Sequence, residues 1–233
     1  MKTVKFILSI SLLFFFLESS YAQDWANLER YQKDNAELKI SNPNQHRVVF
    51  MGNSITQGWS EKRPEFFANK PYINRGISAQ TTPQMLLRFR QDVINLTPSA
   101  VVILAGINDI AGNKGPSTIE MIVDNIVSMA ELSKANNIKV ILCSVLPAYD
   151  FPWKKGLEPA EKVIKLNAQL KAYANQNNLI YVDYFTPMAN KSNGLKENLG
   201  NDGIHPNVSG YLIMEPLIEE AISKALILKK THD

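Results

Sequence analysis

The feature that most constrains the fold is a repeated alternation of short, apolar, β-branched runs with longer stretches of helical periodicity. Strands are expected at Val48–Met51, Tyr72–Asn74, Ala100–Ala105, Lys139–Val145 and Leu179–Tyr184. Helical patterns lie between and after them, at about 82–96, 117–136, 158–177 and 206–228. Strand–helix–strand units close by right-handed crossovers, which gives a mostly parallel sheet with helices on both faces. Runs such as Val101-Val102-Ile103-Leu104 have no polar alternation, as strands buried on both sides require. The expectation is an α/β chain, a three-layer α/β/α sandwich on a five-stranded, flavodoxin-like sheet. Thr82 before Pro83, and Ser117 three residues before Glu120, mark two helix starts. Upstream, Trp25, Leu28, Tyr31 and Leu38 fall at roughly helical spacing, and Asn42-Pro43-Asn44 ends that pattern. No repeat, linker or low-complexity tract divides the chain, so residues 23–233 read as one domain.

The first 22 residues read differently. Lys2 and Lys5 precede an apolar stretch from Phe6 to Leu17, and Glu18-Ser19-Ser20-Tyr21-Ala22 follows. A basic start, a short apolar core and small residues near a cut are the parts of a secretory signal peptide, with cleavage expected after Ala22. The stretch is short for a membrane span, which takes roughly 20 residues, and an uncleaved amino-terminal anchor is the alternative reading. The mature protein is therefore expected in the periplasm or outside the cell, without stable membrane insertion. Losing Lys2, Lys5 and Glu18 takes the formal charge from +3 to +2, and no basic cluster with interleaved aromatics gives a nucleic-acid surface. The single cysteine, Cys143, sits in the run Val140–Val145 and reads as a small buried hydrophobe.

In a parallel sheet, loops leaving the carboxyl ends of the strands build the site. The first ends in Gly52-Asn53-Ser54-Ile55-Thr56, where a serine at a tight turn can present its hydroxyl to a cleft. Alone this is a weak sign, because Gly-x-Ser usually marks an ordinary turn. Thr56 breaks the Gly-x-Ser-x-Gly elbow of α/β-hydrolases, and no Gly-Lys-Ser/Thr makes a phosphate loop. Three histidines are candidates for a base: His46 before the first strand, His232 in the tail, and His205. His205 sits in Asn201-Asp202-Gly203-Ile204-His205-Pro206, after the last strand and three residues beyond a carboxylate. One turn can thus supply a base and the group that orients it. Histidines this scattered do not make a metal site, and no metal or organic cofactor is called for. Two further loops, Asn74-Arg75-Gly76-Ile77-Ser78 and Ala105-Gly106-Ile107-Asn108-Asp109, can offer hydrogen-bond donors, although each alone reads equally as a turn with a capping asparagine.

Taken together, Gly52-Asn53-Ser54-Ile55, Gly76, Gly106-x-Asn108-Asp109 and Asp202-x-x-His205-Pro206 resemble the four ordered blocks of the SGNH (GDSL-like) hydrolases. The resemblance runs from residue 52 to 206. It implies Ser54 as nucleophile, His205 as base and Asp202 as its orienting carboxylate. It also implies an oxyanion hole from the backbone N–H groups of Ser54 and Gly76 with the Asn108 side chain. Asn53 departs from the usual Asp before the serine. The resemblance implies a serine esterase needing no cofactor, and the amino-terminal pattern adds the expectation that it is exported. The substrate is expected to be a short-acyl, acetyl-type ester of a carbohydrate. Lysophospholipid, other lipid-ester or thioester hydrolysis is the alternative within enzymes, and a non-catalytic carbohydrate-binding module is the alternative outside them. Trp59, just after the nucleophile, and Tyr149 and Trp153, in the loop Ala148–Gly156, are candidate substrate contacts or else apolar anchors. Oligomeric state is not legible.

Overall fold

A computed structural model of the chain describes residues 24–40 and 46–227. The expected signal peptide, the Asn42-Pro43-Asn44 break and His232 lie outside them. Five strands form one all-parallel sheet: β1 (Val48–Gly52), β2 (Tyr72–Gly76), β3 (Ala100–Leu104), β4 (Lys139–Cys143) and β5 (Ile180–Val182). Their spatial order is β2-β1-β3-β4-β5, with Gly52 opposite both Gly76 and Leu104. Each strand lies within a few residues of its expected place. The order reverses between β1 and β3, and there the carboxyl ends of the strands open a crevice.

The helices are α1 (Gln32–Ile40), α2 (Ser54–Lys62), α3 (Pro64–Phe67), α4 (Thr82–Asp92), α5 (Ile107–Ile110), α6 (Ile119–Ala135), α7 (Pro159–Gln176), α8 (Phe185–Met188) and α9 (Val208–Ile227). Helices α4, α6 and α7 pack in a row, whereas α2 packs on β1 and β2 and α9 on β3 to β5. Every residue of β1 and β3 is buried, as runs without polar alternation require when both faces are covered.

Several details correct the expectations. Residues 24–31 form turns, and helix begins only at Gln32, because the Asp24 carboxylate accepts the Glu29 N–H across a non-helical spacing. Thr81, not Thr82, caps α4, in a capping box with Gln84. Thr118, not Ser117, caps α6 by accepting from Met121 N. The 82–96 pattern breaks at Val93 into a short 3₁₀ turn, Ile94–Leu96. Pro206 does not open the last helix; it pairs with Gly200 across the base of the preceding loop, and α9 starts at Val208. Among the described residues no helix is long and apolar enough to cross a membrane.

Candidate active site

Ser54 is the first residue of α2. Asn53 caps that helix, its side-chain oxygen accepting the Ile55 N–H at 3.0 Å. The cap needs only an acceptor, which explains how asparagine serves where the related pattern has aspartate. In the first helical turn the N–H groups lack intrahelical partners, and that of Ser54 bonds to no described residue.

His205 reaches this serine from the loop between β5 and α9. Its Nε2 lies 2.8 Å from Ser54 Oγ, and its Nδ1 lies 2.6 Å from Asp202 Oδ2. The other Asp202 oxygen accepts the backbone N–H groups of Ile204 and His205, at 2.9 and 2.7 Å. Burial alone raises the Asp202 pKa, but these hydrogen bonds outweigh it and hold the carboxyl below its ordinary range. An ionised Asp202 accepts a proton-bearing Nδ1, which leaves the Nε2 lone pair for the serine hydroxyl. Sequence separations of 151 and 3 residues are thus drawn into one hydrogen-bonded chain.

The loop after β2 corrects one expectation. The Gly76 N–H is buried and already donates to Asn74 Oδ1 at 2.8 Å, while the Gly76 carbonyl accepts from Tyr31 Oη at 2.5 Å. Gly76 is glycine for packing: a Cβ there would stand 2.2 Å from Gln57 N and 2.8 Å from Asn53 O, both backbone atoms. The free donor on this loop is three residues on. Ala79 is exposed, holds φ +62, and its N–H bonds to no described residue. Its loop is tied to the serine turn, because Ile77 N donates to Gly52 O and Ser78 N to Gln57 Oε1. Nothing in the sequence distinguishes Ala79, since a left-handed alanine is uncommon and has no residue-type signal.

Gly106 ends the turn after β3 at φ +120, a conformation that side chains rarely adopt, and starts the short helix carrying Asn108. Asn108 is buried, donating from Nδ2 to Gln80 O at 3.0 Å and accepting at Oδ1 from Asn113 Nδ2 at 3.0 Å. Its second amide hydrogen remains for a ligand. Asp109 points away from the crevice. It accepts from Thr82 N at 3.0 Å and Thr82 Oγ1 at 2.6 Å, fixing the start of α4. Burial raises the Asp109 carboxyl to about 6, against the lowering effect of those bonds.

The aromatic candidates separate. Trp59 is a core residue, 1% exposed, stacked between Phe66 and Tyr211 at 5.1 and 5.4 Å and edge-on to Phe50. It cannot touch a ligand, because α2 turns that face onto the sheet. Trp153 is half-exposed, with its ring centroid 6.4 Å from that of His205. Its loop is pinned by buried Phe151, by Asp150 Oδ1 accepting from Phe151 N and Gly156 N, and by Lys154 Nζ on Ala111 O. Tyr149 is exposed and lines a neighbouring cleft of about 360 Å³ with Asp150, Glu158, Glu161, Ser192 and Asn193. Cys143 is fully buried, which pushes its thiol up to about 12 and makes it an inert apolar residue. His46 contacts Ser99 beside the amino ends of the strands, away from this crevice. Among the described residues no cluster of three or more His, Cys, Asp or Glu side chains could hold a metal ion.

A hydroxyl on an imidazole that is itself held by a carboxylate, beside uncommitted N–H donors, is equipped for nucleophilic acyl transfer. Comparison with known proteins leads to the same chemistry. Residues 50–213 match the model of the GDSL-like lipase/acylhydrolase family. A GDSL-like lipase from Bacteroides thetaiotaomicron superposes with a TM-score of 0.83 at 51% identity, covering 86% of this chain and 98% of that one. An acetyl-xylooligosaccharide esterase variant from Geobacillus shares the fold at TM-score 0.60 and 20% identity, covering 76% of this chain and 94% of the other. An uncharacterized lipoprotein of Bacillus subtilis, YqeF, is 34% identical over 82 residues; the match spans 34% of each chain, about a third of that protein's length.

Proposed function

Because the chain belongs to the GDSL-like lipase/acylhydrolase family, whose members are carboxylic ester hydrolases, we propose that it works as a serine esterase through Ser54, His205 and Asp202. The supporting observation is the continuous Ser54–His205–Asp202 hydrogen-bonded chain. Ser54 Oγ attacks the ester carbonyl and His205 Nε2 takes its proton. The resulting oxyanion is held by the N–H groups of Ser54 and Ala79 and by Asn108 Nδ2. His205 then returns the proton to the leaving alcohol, and water hydrolyses the acyl-enzyme by the same route. The α2 amino terminus adds its partial positive charge where the negative charge develops.

The alcohol must depart next to His205, so Trp153 stands on the leaving-group side of the bond. A half-exposed indole on a pinned loop is a stacking surface for a sugar ring, and Tyr149 offers a second one nearby. Asp150, Glu158 and Glu161 around the Tyr149 cleft disfavour an anionic headgroup. These features support a short-acyl ester of a neutral carbohydrate over a lysophospholipid. We further propose that residues 1–22 direct export and that 23–233 act as one domain.

The test compares the protein with Ser54→Ala on p-nitrophenyl acetate, butyrate and octanoate, and on an acetylated oligosaccharide. Ser54-dependent hydrolysis falling with acyl length, with Trp153→Ala raising KM for the sugar ester by about 10-fold, supports the reading; that factor corresponds to about 1.4 kcal/mol of lost stacking. Rates equal to Ser54→Ala on all four substrates refute it. A preference for octanoate shifts the substrate to lipid esters.

A further inference from the structure

Behind the loop that carries Ala79 lies a buried polar cluster that the reaction itself does not use. Arg88, fully buried on α4, divides its guanidinium among three places. Nη2 donates to Gly52 O at 3.0 Å, two residues before Ser54. Nε donates to Gln80 Oε1 at 2.5 Å, one residue after Ala79. Nη1 pairs with Asp92 Oδ2 at 2.9 Å. Gln80 is committed at every polar group. Its side-chain Nε2 donates to Ala26 O at 2.7 Å, its backbone N–H to Ile77 O at 3.3 Å, and its carbonyl accepts Asn108 Nδ2 at 3.0 Å. The cluster continues from Asp92 through Asn35 to Arg75, whose Nη1 donates to Asn74 O beside Gly76.

We infer that Arg88 and Gln80 are positioning residues that set the spacing of the three oxyanion donors, and that residues 24–35 form a strap closing this bracket from outside. The geometry is specific. One residue, Gln80, links the loop of Ala79 to Asn108 through its backbone carbonyl and, through its side chain, to Arg88 and so to the Gly52 carbonyl before Ser54. The strap supplies the Ala26 carbonyl and Asn35, with Gln84 Nε2 and Gln91 Nε2 donating to the Trp25 and Leu28 carbonyls. A left-handed Ala79 is held by its surroundings rather than by its own preference, so loosening them relaxes the donor.

This inference rests on the serine-esterase reading above, and the test separates the two. Gln80→Met keeps the side-chain length and removes both of its hydrogen bonds. It is expected to lower kcat about 10-fold or more with KM changed less than about threefold, the pattern of an interaction made in the transition state. Gln80→Glu keeps the acceptor for Arg88 but loses the donor to the Ala26 carbonyl, so it is expected to recover only part of that loss. The deciding readout is a double-mutant cycle. In an Asn108→Ala background, Gln80→Met is expected to cost clearly less than it does alone, because one of the three donors whose spacing it sets is gone. Rates are normalised to Ser54 sites titrated with a fluorophosphonate, so a smaller folded fraction does not register. If Gln80→Met does not fold, Arg88→Lys enters the same cycle with the same expectation. An equal cost in both backgrounds, or an unchanged kcat, overturns the inference while leaving the esterase standing. Absence of Ser54-dependent hydrolysis in the unmutated protein overturns both.

Discussion

Replacing Asn108 separates charge stabilisation from packing, because its two side-chain partners are known. Asn108→Ala removes the donor proposed for the oxyanion and unpairs the Gln80 carbonyl and the Asn113 amide. Each buried group left unpaired costs about 1–3 kcal/mol, and Asn113 is only partly buried, so water offsets some of its share. The stability loss is thus about 2–3 kcal/mol, which lowers Tm by roughly 5–10 °C in a chain of this size. A domain with about 10 kcal/mol to lose stays folded at assay temperature. Loss of one oxyanion donor costs about 3–4 kcal/mol in the transition state, a factor of roughly 100 to 1,000 in kcat. The kinetic loss therefore exceeds anything unfolding can produce. Asn108→Asp sharpens the test. It keeps an acceptor for Asn113 and nearly the same shape, but turns a negative charge toward the developing oxyanion. Its kcat on p-nitrophenyl acetate, per titrated Ser54, is expected at or below that of Asn108→Ala. An Asp variant faster than the Ala variant, or either within threefold of the unmutated protein, refutes Asn108 as an oxyanion donor.

Other outcomes follow from the same geometry. Asp202→Asn keeps the fold but favours the wrong His205 tautomer, and kcat is expected to fall about 10³- to 10⁴-fold; near-normal turnover would assign the orienting role to another carboxylate. Ala79→Gly relieves a left-handed conformation that costs a side-chain-bearing residue about 1–2 kcal/mol. Part of that gain is offset by glycine's extra chain entropy, so Tm is expected to rise by about 1–3 °C with turnover kept, whereas Ala79→Val lowers both. Asp109 has a folded pKa of about 6, above the ordinary 3.8, so its ionisation works against the fold. Its contribution is fully present below pH 4 and is lost as pH rises through 6, a difference of roughly 3 kcal/mol. Urea denaturation of Asp109→Asn, compared with the unmutated protein at pH 4 and pH 7, is expected to shift in the variant's favour at pH 7; a pH-independent difference refutes this.

The sheet was legible because its strands are buried on both faces, which leaves long β-branched runs such as Ala100–Leu104. Helix α2 was not. Its sequence SITQGWSEK contains Gly58 and no clear apolar stripe, and it is helical because Asn53 caps it and Trp59 packs into the aromatic cluster. That packing also decided the role of Trp59. An aromatic residue five places after a candidate nucleophile suits a pocket wall or a core equally, and only the direction of the helix face chooses between them. Trp153 carries the same ambiguity in sequence, and the loop anchors at Phe151 and Lys154 leave it half-exposed beside His205, where we propose that it meets the substrate.

Gly76 and Ala79 show where residue type stops being informative. A glycine after a strand can be present so that a backbone N–H faces a ligand, or so that another backbone can approach. Both demands select the same residue. The difference lies in where each N–H goes, and that accounting is three-dimensional: Gly76 N is spent on Asn74, a side chain that also donates to Thr56 O and so belongs to the floor of the nucleophile helix. Ala79 N is left over. Its conformation is not imposed by its own side chain but by Ile77, Ser78 and Gln80, each bonded to a different part of the crevice. A donor assembled in this way needs no particular residue at its own position, only the right neighbours, and for that reason the motif around it is readable while the donor is not.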